Sequence, residues 1–294
     1  MYRIENRPDM TSVLSTLVAI IREHSIPVDR FLQQIEEHQI ANPFQYPGNI
    51  RIGDTIPDEF LQATGIRRIV LDHVHFGPAV ADRATILGGS SLIEFADWAE
   101  TGDASCSWQT FYSQVIQPLN KRDFQFIFHL GDTATRRVFE VDEVLDIIGD
   151  YSTYGHVTLI LDSHEADDLW CQLNGLDPAS FIPGLGSPGA RDRYIALFDT
   201  MGIDSLVVLY DVRALHFSRE GQFHLGKESP VSLREIINGR NRFSAGYQLG
   251  LLLRLDATHC TTLGLVVSGG YTGAPARPAS TLLLEFIRDW LRIL

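Results

Sequence analysis

The chain has 294 residues, of which 45% are hydrophobic, 21% charged and 10% aromatic. This composition is typical of a folded protein with a sizeable core and excludes an intrinsically disordered chain. The formal net charge of -13 argues against a nucleic-acid-binding surface, because such a surface needs a basic face to displace counterions. One bound nucleotide remains compatible with this charge, since a local pair of arginines would suffice to hold it.

The cysteines and the first apolar run indicate the compartment. Cys106, Cys171 and Cys260 are scattered and lack Cys-x-x-Cys spacing, which favours reduced thiols over a disulfide framework or a zinc site. The apolar run Val13–Ile21 is too short to cross a bilayer. The first ten residues mix acidic and basic side chains, which does not fit a secretory signal. We therefore expect a cytoplasmic protein without a membrane span.

Hydrophobic periodicity predicts helices and strands in the first half of the chain. Apolar side chains at helical spacing alternate there with short runs of β-branched and aromatic residues. The predicted helices are Met10–His24, Val28–His38, Ser91–Glu100 and Trp108–Leu119, and the predicted strands are Arg67–Phe76 and Phe124–Leu130.

From residue 135 onward the alternation becomes regular. The predicted helices are Thr135–Asp150, Glu165–Leu173, Arg191–Met201, one opening at Asn238–Gly246, and Thr281–Leu294, and the predicted strands are His156–Leu161, Ser205–Tyr210, Ala214–Phe217 and Leu263–Ser268. This order predicts an α/β fold with a mixed sheet flanked by helices. We place a boundary within the polar patch Gly131–Arg137, with Asn120–Asp123 as the alternative, which gives a smaller N-terminal α/β domain (1–134) and a second domain (135–294).

Three polar stretches have a functional interpretation and a structural alternative. His73 and His75 share one face of a predicted strand next to Asp72, as a transition metal requires, but hydrogen-bonded strand histidines are favoured. Asp162–Glu165 follows a strand, where α/β proteins bind ligands, although a polar loop is favoured. Gly184–Gly189 has the pattern G-x-G-x-x-G without a preceding strand, and a loop before a helix explains it better.

The stretch from Leu206 to Gly273 combines groups that suit a phosphate site. Asp211 stands at a strand end, and carboxylate oxygens suit Mg²⁺ or Mn²⁺. Gly239 lets the backbone approach an anion, and Arg240 and Arg242 offer planar guanidinium groups. The N–H groups at the start of the predicted helix add partial positive charge.

The order of motifs in this stretch resembles the diadenylate cyclase family. That family has an Asp-Gly-Ala strand end, an Arg-His-Arg motif that opens a helix, and a Val-Val-Ser-Glu-Glu-Thr-Gly strand and turn. The similar blocks here are Tyr210–Gly221, Asn238–Gly246 and Val266–Gly273. The chain departs from the pattern at Asn241, which replaces the histidine, and at Gly269–Gly270, which replaces the paired glutamates.

The resemblance implies a function for residues 135–294. They would condense two ATP molecules into cyclic di-AMP, or a related cyclic dinucleotide, and pyrophosphate, in a homo-oligomer with a sensing or regulatory N-terminal domain. The implied site has Asp211 as catalytic metal ligand for Mg²⁺ or Mn²⁺, Asn241 at the position of the catalytic histidine, and nucleotide-binding residues Gly239, Arg240, Arg242, Ser268 and Thr272. The departures leave open a catalytically silent module of the same type that binds a nucleotide or a protein. An unrelated α/β protein with a chance match is the third alternative.

Overall fold

A computed structural model describes residues 9–23, 51–52, 68–71, 92–95, 98–100, 104–177, 189–210, 213–225, 239–270 and 279–294. The strands within these ranges form one eight-stranded sheet in sequence order. They are β1 (Arg51–Ile52), β2 (Arg68–Leu71), β3 (Leu92–Phe95), β4 (Phe124–Phe128), β5 (Gly155–Asp162), β6 (Ser205–Tyr210), β7 (Arg213–Ser218) and β8 (Gly221–Leu225). Strands β2 to β6 pair in parallel, whereas the pairs β1–β2, β6–β7 and β7–β8 are antiparallel.

Helices cover both faces of this sheet. They are α1 (Met10–Glu23), α2 (Ala104–Phe111), α3 (Val138–Tyr151), α4 (Ser163–Leu173), α5 (Ala190–Met201), α6 (Gly239–Leu252), α7 (Ala257–Gly270) and α8 (Ala279–Ile293). Helix α2 continues through a π-helical segment, Tyr112–Ile116, into a short turn, Gln117–Leu119. Helices α2 to α5 pack on the first face, and α1 and α6 to α8 pack on the second. The predicted mixed sheet flanked by helices is confirmed.

The central strands are apolar on both faces because helices cover each of them. Along β4, Phe126 and Phe128 join the first core, and Ile127 between them joins the second. In the first core, the rings of Phe95 and Phe128 stack with their centroids 4.4 Å apart. The hydroxyl of Tyr151 in the same core donates to the carbonyl of Trp108 at 2.7 Å. The parallel strands are therefore held in place from both sides.

Helices α6 and α7 form a closely packed antiparallel hairpin. A Cβ added to Gly246 would lie 2.6 Å from the carbonyl oxygen of Leu263, and one added to Gly250 would lie 2.8 Å from the Cα of Cys260. These are distances that real Cβ atoms do not adopt, so glycine is required at both positions for the two backbones to approach. The hairpin brings the start of α6 and the end of α7 to the same end of the molecule.

The helix predicted over Ser91–Glu100 is wrong. Leu92–Phe95 is strand β3, which pairs in parallel with β2 and β4, and Trp98–Glu100 is a short 3-10 turn. All four residues of β3 are buried, so the strand lacks the alternation of apolar and polar residues that identifies a half-exposed strand.

The strand predicted over Leu263–Ser268 is also wrong, because these residues lie inside α7. A short apolar run has the same appearance in a buried strand and in a buried helix. Gly264 supports the helix here, because its missing side chain leaves room for the ring of Phe243.

Several predictions fall on residues outside the described ranges, among them the helix Val28–His38, the histidines His73 and His75 with Asp72, and most of the loop Gly184–Gly189. The predicted boundary between residues 134 and 135 falls between β4 and β5, which pair as neighbours in the sheet. The division into two domains stays a prediction. Among the described helices, none has the length and apolar character needed to cross a membrane.

Candidate functional site

The candidate site lies at the carboxyl edge of the parallel strands, where α/β proteins bind ligands. Three elements supply polar side chains there. Glu94 comes from the end of β3, His129 directly follows β4, and Asp162 ends β5. Helix α6 begins at this edge on the second face, and α4 begins at the same edge on the first.

A buried polar cluster fixes the second and third turns of α6 to the sheet. Oε1 of Glu94 accepts hydrogen bonds from Ser244 Oγ at 2.8 Å and from Gln248 Nε2 at 2.5 Å. Nε2 of His129 lies 3.1 Å from the same oxygen and 3.2 Å from Ser244 Oγ. The four residues are between 0 and 7% exposed. Since a buried carboxylate is costly without partners, this cluster determines how α6 sits on the sheet.

Helix α4 has its N-terminal N–H groups bonded by its own side chains. Oδ1 of Asp162 accepts from the N–H groups of His164 at 2.8 Å and Glu165 at 2.9 Å. In return, Oε2 of Glu165 accepts from the N–H of Asp162 at 2.9 Å. This reciprocal arrangement is a capping box, and it orients the carboxylate of Glu165 at the edge of the sheet.

The other oxygen of Glu165 binds Arg240 in the first turn of α6. Oε1 pairs with Nη1 of Arg240, and the ion pair joins α4 on one face to α6 on the other. The side chains are 9% and 21% exposed. Burial raises the pKa of Glu165, an effect that the charge of Arg240 opposes. The pair therefore places a guanidinium group over the carboxyl edge, in a region with little solvent.

The structure locates some of the predicted site residues. Arg240, Asn241 and Arg242 form the first turn of α6 after Gly239, and the side chain of Arg242 is half-buried. Ser268 lies in the last turn of α7, at the end of the hairpin where α6 begins, and its hydroxyl donates to the carbonyl of Leu265 at 3.0 Å.

Asp211 and Thr272 lie outside the described ranges, so their predicted roles stay predictions. Within the described part of the chain, no group of three or more His, Cys, Asp or Glu side chains is arranged to hold a metal ion.

Sequence reasoning named Asp162–Glu165 as a possible ligand site with a polar loop favoured, but these residues end β5 and begin α4. The Asp-x-x-Glu capping-box pattern predicts this helix start. The contact of Glu165 with α6 and the other partners of α6 were missed. Ser244 and Gln248 follow Arg240 at intervals of four residues, which places all three on one side of a helix. The sequence pattern around Glu94 is less informative, because it is only a single charged residue within an apolar run.

Comparisons with known proteins matched only solved structures. No protein-family model matches the chain, and no curated protein matches its sequence. One similar structure is Arabidopsis thaliana ribokinase complexed with ribose and ATP, at 13% identity and a TM-score of 0.48 over 70% of this chain. Adenosine kinase from Sinorhizobium meliloti is similar at 14% identity and a TM-score of 0.48 over 67%. A carbohydrate kinase from Agrobacterium tumefaciens is similar at 12% identity and a TM-score of 0.44 over 72%.

The chain spans 55–59% of the length of these three structures. At such identities and TM-scores, the likeness assigns neither a ligand nor an activity to this chain.

The predicted relationship to diadenylate cyclases is wrong. Its third block, Val266–Gly273, needs a strand, and its described residues lie in α7 instead. The similar solved structures are named as sugar and nucleoside kinases, not cyclases. This finding overturns three predictions: the cyclase activity, the cyclic dinucleotide product and the silent cyclase-like module. The predicted homo-oligomer stays a prediction.

Proposed function

We propose that this chain binds a small phosphate-bearing ligand, such as a nucleoside phosphate or a sugar phosphate, at the carboxyl edge of its sheet. One observation carries the proposal: the ion pair with Glu165 holds Arg240 over this edge, in the first turn of a 14-residue helix. The phosphate would bind beside that turn, with Arg240 and Arg242 as its cationic partners.

The chemistry of the helix start supports an anion. The first N–H groups of a helix lack partners within the helix and carry partial positive charge, which favours phosphate. Arginine adds a planar fork of donors that matches two phosphate oxygens. The N–H groups of His164 and Glu165 at the start of α4 are already bonded to Asp162. Helix α6 is therefore the favoured anion partner at this edge.

A divalent cation belongs to the same proposal. Mg²⁺ in proteins is commonly held by one or two carboxylates together with the phosphate groups of a ligand. Asp162 brings a carboxylate to the same edge as Arg240. We therefore propose Mg²⁺ as a companion of the ligand, to be tested by titrations with and without the ion.

The direct test is isothermal titration calorimetry with ATP, ADP, pyrophosphate, adenosine and ribose. We expect the phosphate compounds to bind and adenosine to bind far more weakly, because the phosphate supplies the charge that the arginines recognise. Arg240→Gln should weaken ATP binding at least about tenfold, since a hydrogen bond to a charged group contributes about 1.5–3 kcal/mol. Measuring ADP release with and without ribose in the same samples shows whether bound ATP is turned over.

Arg292→Gln is the matched control. It removes the same charge from an exposed position on α8, where Arg292 pairs with Asp289 at 3.0 Å, and it should leave binding unchanged. Equal binding by the two variants, or a wild-type protein that binds none of the phosphate compounds, would contradict the proposed function.

A further inference from the structure

Glu165 uses its two carboxylate oxygens for two different contacts. Oε2 completes the cap of α4 through the N–H of Asp162, and Oε1 binds Nη1 of Arg240. The carboxylate thus occupies one side of a guanidinium group that the proposed function requires for phosphate. A phosphate that approaches the first turn of α6 meets an arginine whose charge is already paired.

The inference that follows rests on the proposed function. We propose that Glu165 holds Arg240 in the ligand-free protein and releases it to the bound phosphate, so that Glu165 sets the affinity of the site. Both anions compete for one guanidinium group. The carboxylate keeps Arg240 in position before the ligand binds. Part of the binding free energy of the phosphate is then used to displace the carboxylate.

Because the ion pair is partly buried, Arg240 depends strongly on an anionic partner. A half-buried guanidinium without a counterion is costly, because the desolvation of an isolated charge is not recovered. The arginine therefore needs an anionic partner in the free protein as well as in the complex. Phosphate carries more charge than a carboxylate and offers more oxygens to the guanidinium fork, which favours the exchange.

The surroundings of Glu165 make its departure from Arg240 possible. The charged groups that act on it are Arg240, which favours its ionised form, and Asp162, which opposes it. Burial raises the pKa of Glu165 above its ordinary range in spite of the arginine. The Oε2 contact with α4 does not depend on Oε1, so Oε1 can leave Arg240 while the cap of α4 stays intact.

The test is calorimetric titration of pyrophosphate and of ATP into Glu165→Gln and the wild type. The amide keeps an oxygen for the N–H of Asp162 but lacks the charge that competes for Arg240. We expect Glu165→Gln to bind both probes about three- to tenfold more tightly, in the range of partly exposed ion pairs. Asp168→Asn is the matched control, because it removes one charge from α4 at a half-buried carboxylate whose charged neighbours are Asp132, His164, Asp167 and Asp162.

A double-mutant cycle isolates the contact. In an Arg240→Gln background, Glu165→Gln should change the affinity by less than about twofold, because the contested guanidinium is gone. Should Glu165→Gln fail to fold, Glu165→Asp replaces it, since the shorter carboxylate withdraws from Arg240 but still suits the first turn of a helix.

The outcomes separate this inference from the proposed function. Unchanged or weaker binding by Glu165→Gln, with the wild type binding normally, would overturn the inference alone. The same gain in Asp168→Asn would also overturn it, because a general charge effect would then explain the result. If no protein in the series, the wild type included, binds either probe, both the inference and the proposed function are overturned.

Discussion

Glu94→Ala tests the buried cluster that fixes α6 to the sheet. The substitution removes one oxygen that Ser244, Gln248 and His129 share at 2.5–3.1 Å. Each buried group left without a partner costs about 1–3 kcal/mol. Three groups lose this oxygen, but Ser244 and Gln248 keep their mutual hydrogen bond at 2.8 Å, so the lower part of the summed cost applies. We expect the free energy of unfolding to fall by about 3 kcal/mol.

Urea unfolding followed by far-ultraviolet circular dichroism measures this loss. Glu94→Gln keeps an oxygen acceptor and should lose only about 1 kcal/mol. Glu143→Ala, at an exposed position on α3, should stay within about 0.5 kcal/mol of the wild type. If Glu94→Ala unfolds within about 1 kcal/mol of the wild type at the same m value, then the cluster does not anchor α6 and the reasoning is refuted.

Two further predictions concern the second face. Gly246→Ala should lower the free energy of unfolding by about 1–3 kcal/mol, because its Cβ would meet the backbone of Leu263 at 2.6 Å. Gly149→Ala is the control and should not lower the free energy of unfolding, because its Cβ would have an ordinary 3.5 Å contact. If urea unfolding shows the same loss for both variants, the packing argument is contradicted. Burial, aided by the nearby charge of His156, lowers the pKa of His216 to about 3 from its ordinary 6.5. As the pH falls, His216 therefore takes up a proton in the unfolded chain before it does so in the folded protein. The free energy of unfolding falls below pH 6.5, by about 2 kcal/mol between pH 7 and pH 5. A His216→Gln protein with the same pH slope would exclude this histidine as the cause.

The regular part of the fold could be predicted from local patterns. The strands Phe124–Phe128 and β6 are short runs rich in aromatic or β-branched residues, and helix α3 has apolar residues at helical spacing. The start of α6 was also found correctly, because the glycine and the polar run after Asn238 mark a helix boundary whatever its partners are. In each of these cases, the residues that decide the structure are close together in the sequence.

The errors arose where distant residues decide the structure. Leu263–Ser268 lies in α7, where Gly264 leaves room for the ring of Phe243, and no property of the apolar run itself shows this contact. The residue pair at the centre of the buried cluster, Glu94 and Ser244, is 150 positions apart. Its hydrogen bond offsets the cost of placing a carboxylate in strand β3, a position that local reasoning assigned to a helix.

The sequential order of the strands bears on how the protein is made on the ribosome. Each strand joins the edge left by the strand before it, so the nascent sheet can widen without rearranging. Its second face, however, presents Ile127 and Ile160 to helices that are translated later. At about 5–20 residues per second, α6 emerges roughly ten seconds after β4. During that interval the nascent chain exposes an apolar surface. We therefore expect chaperones that bind such surfaces to associate with it during synthesis.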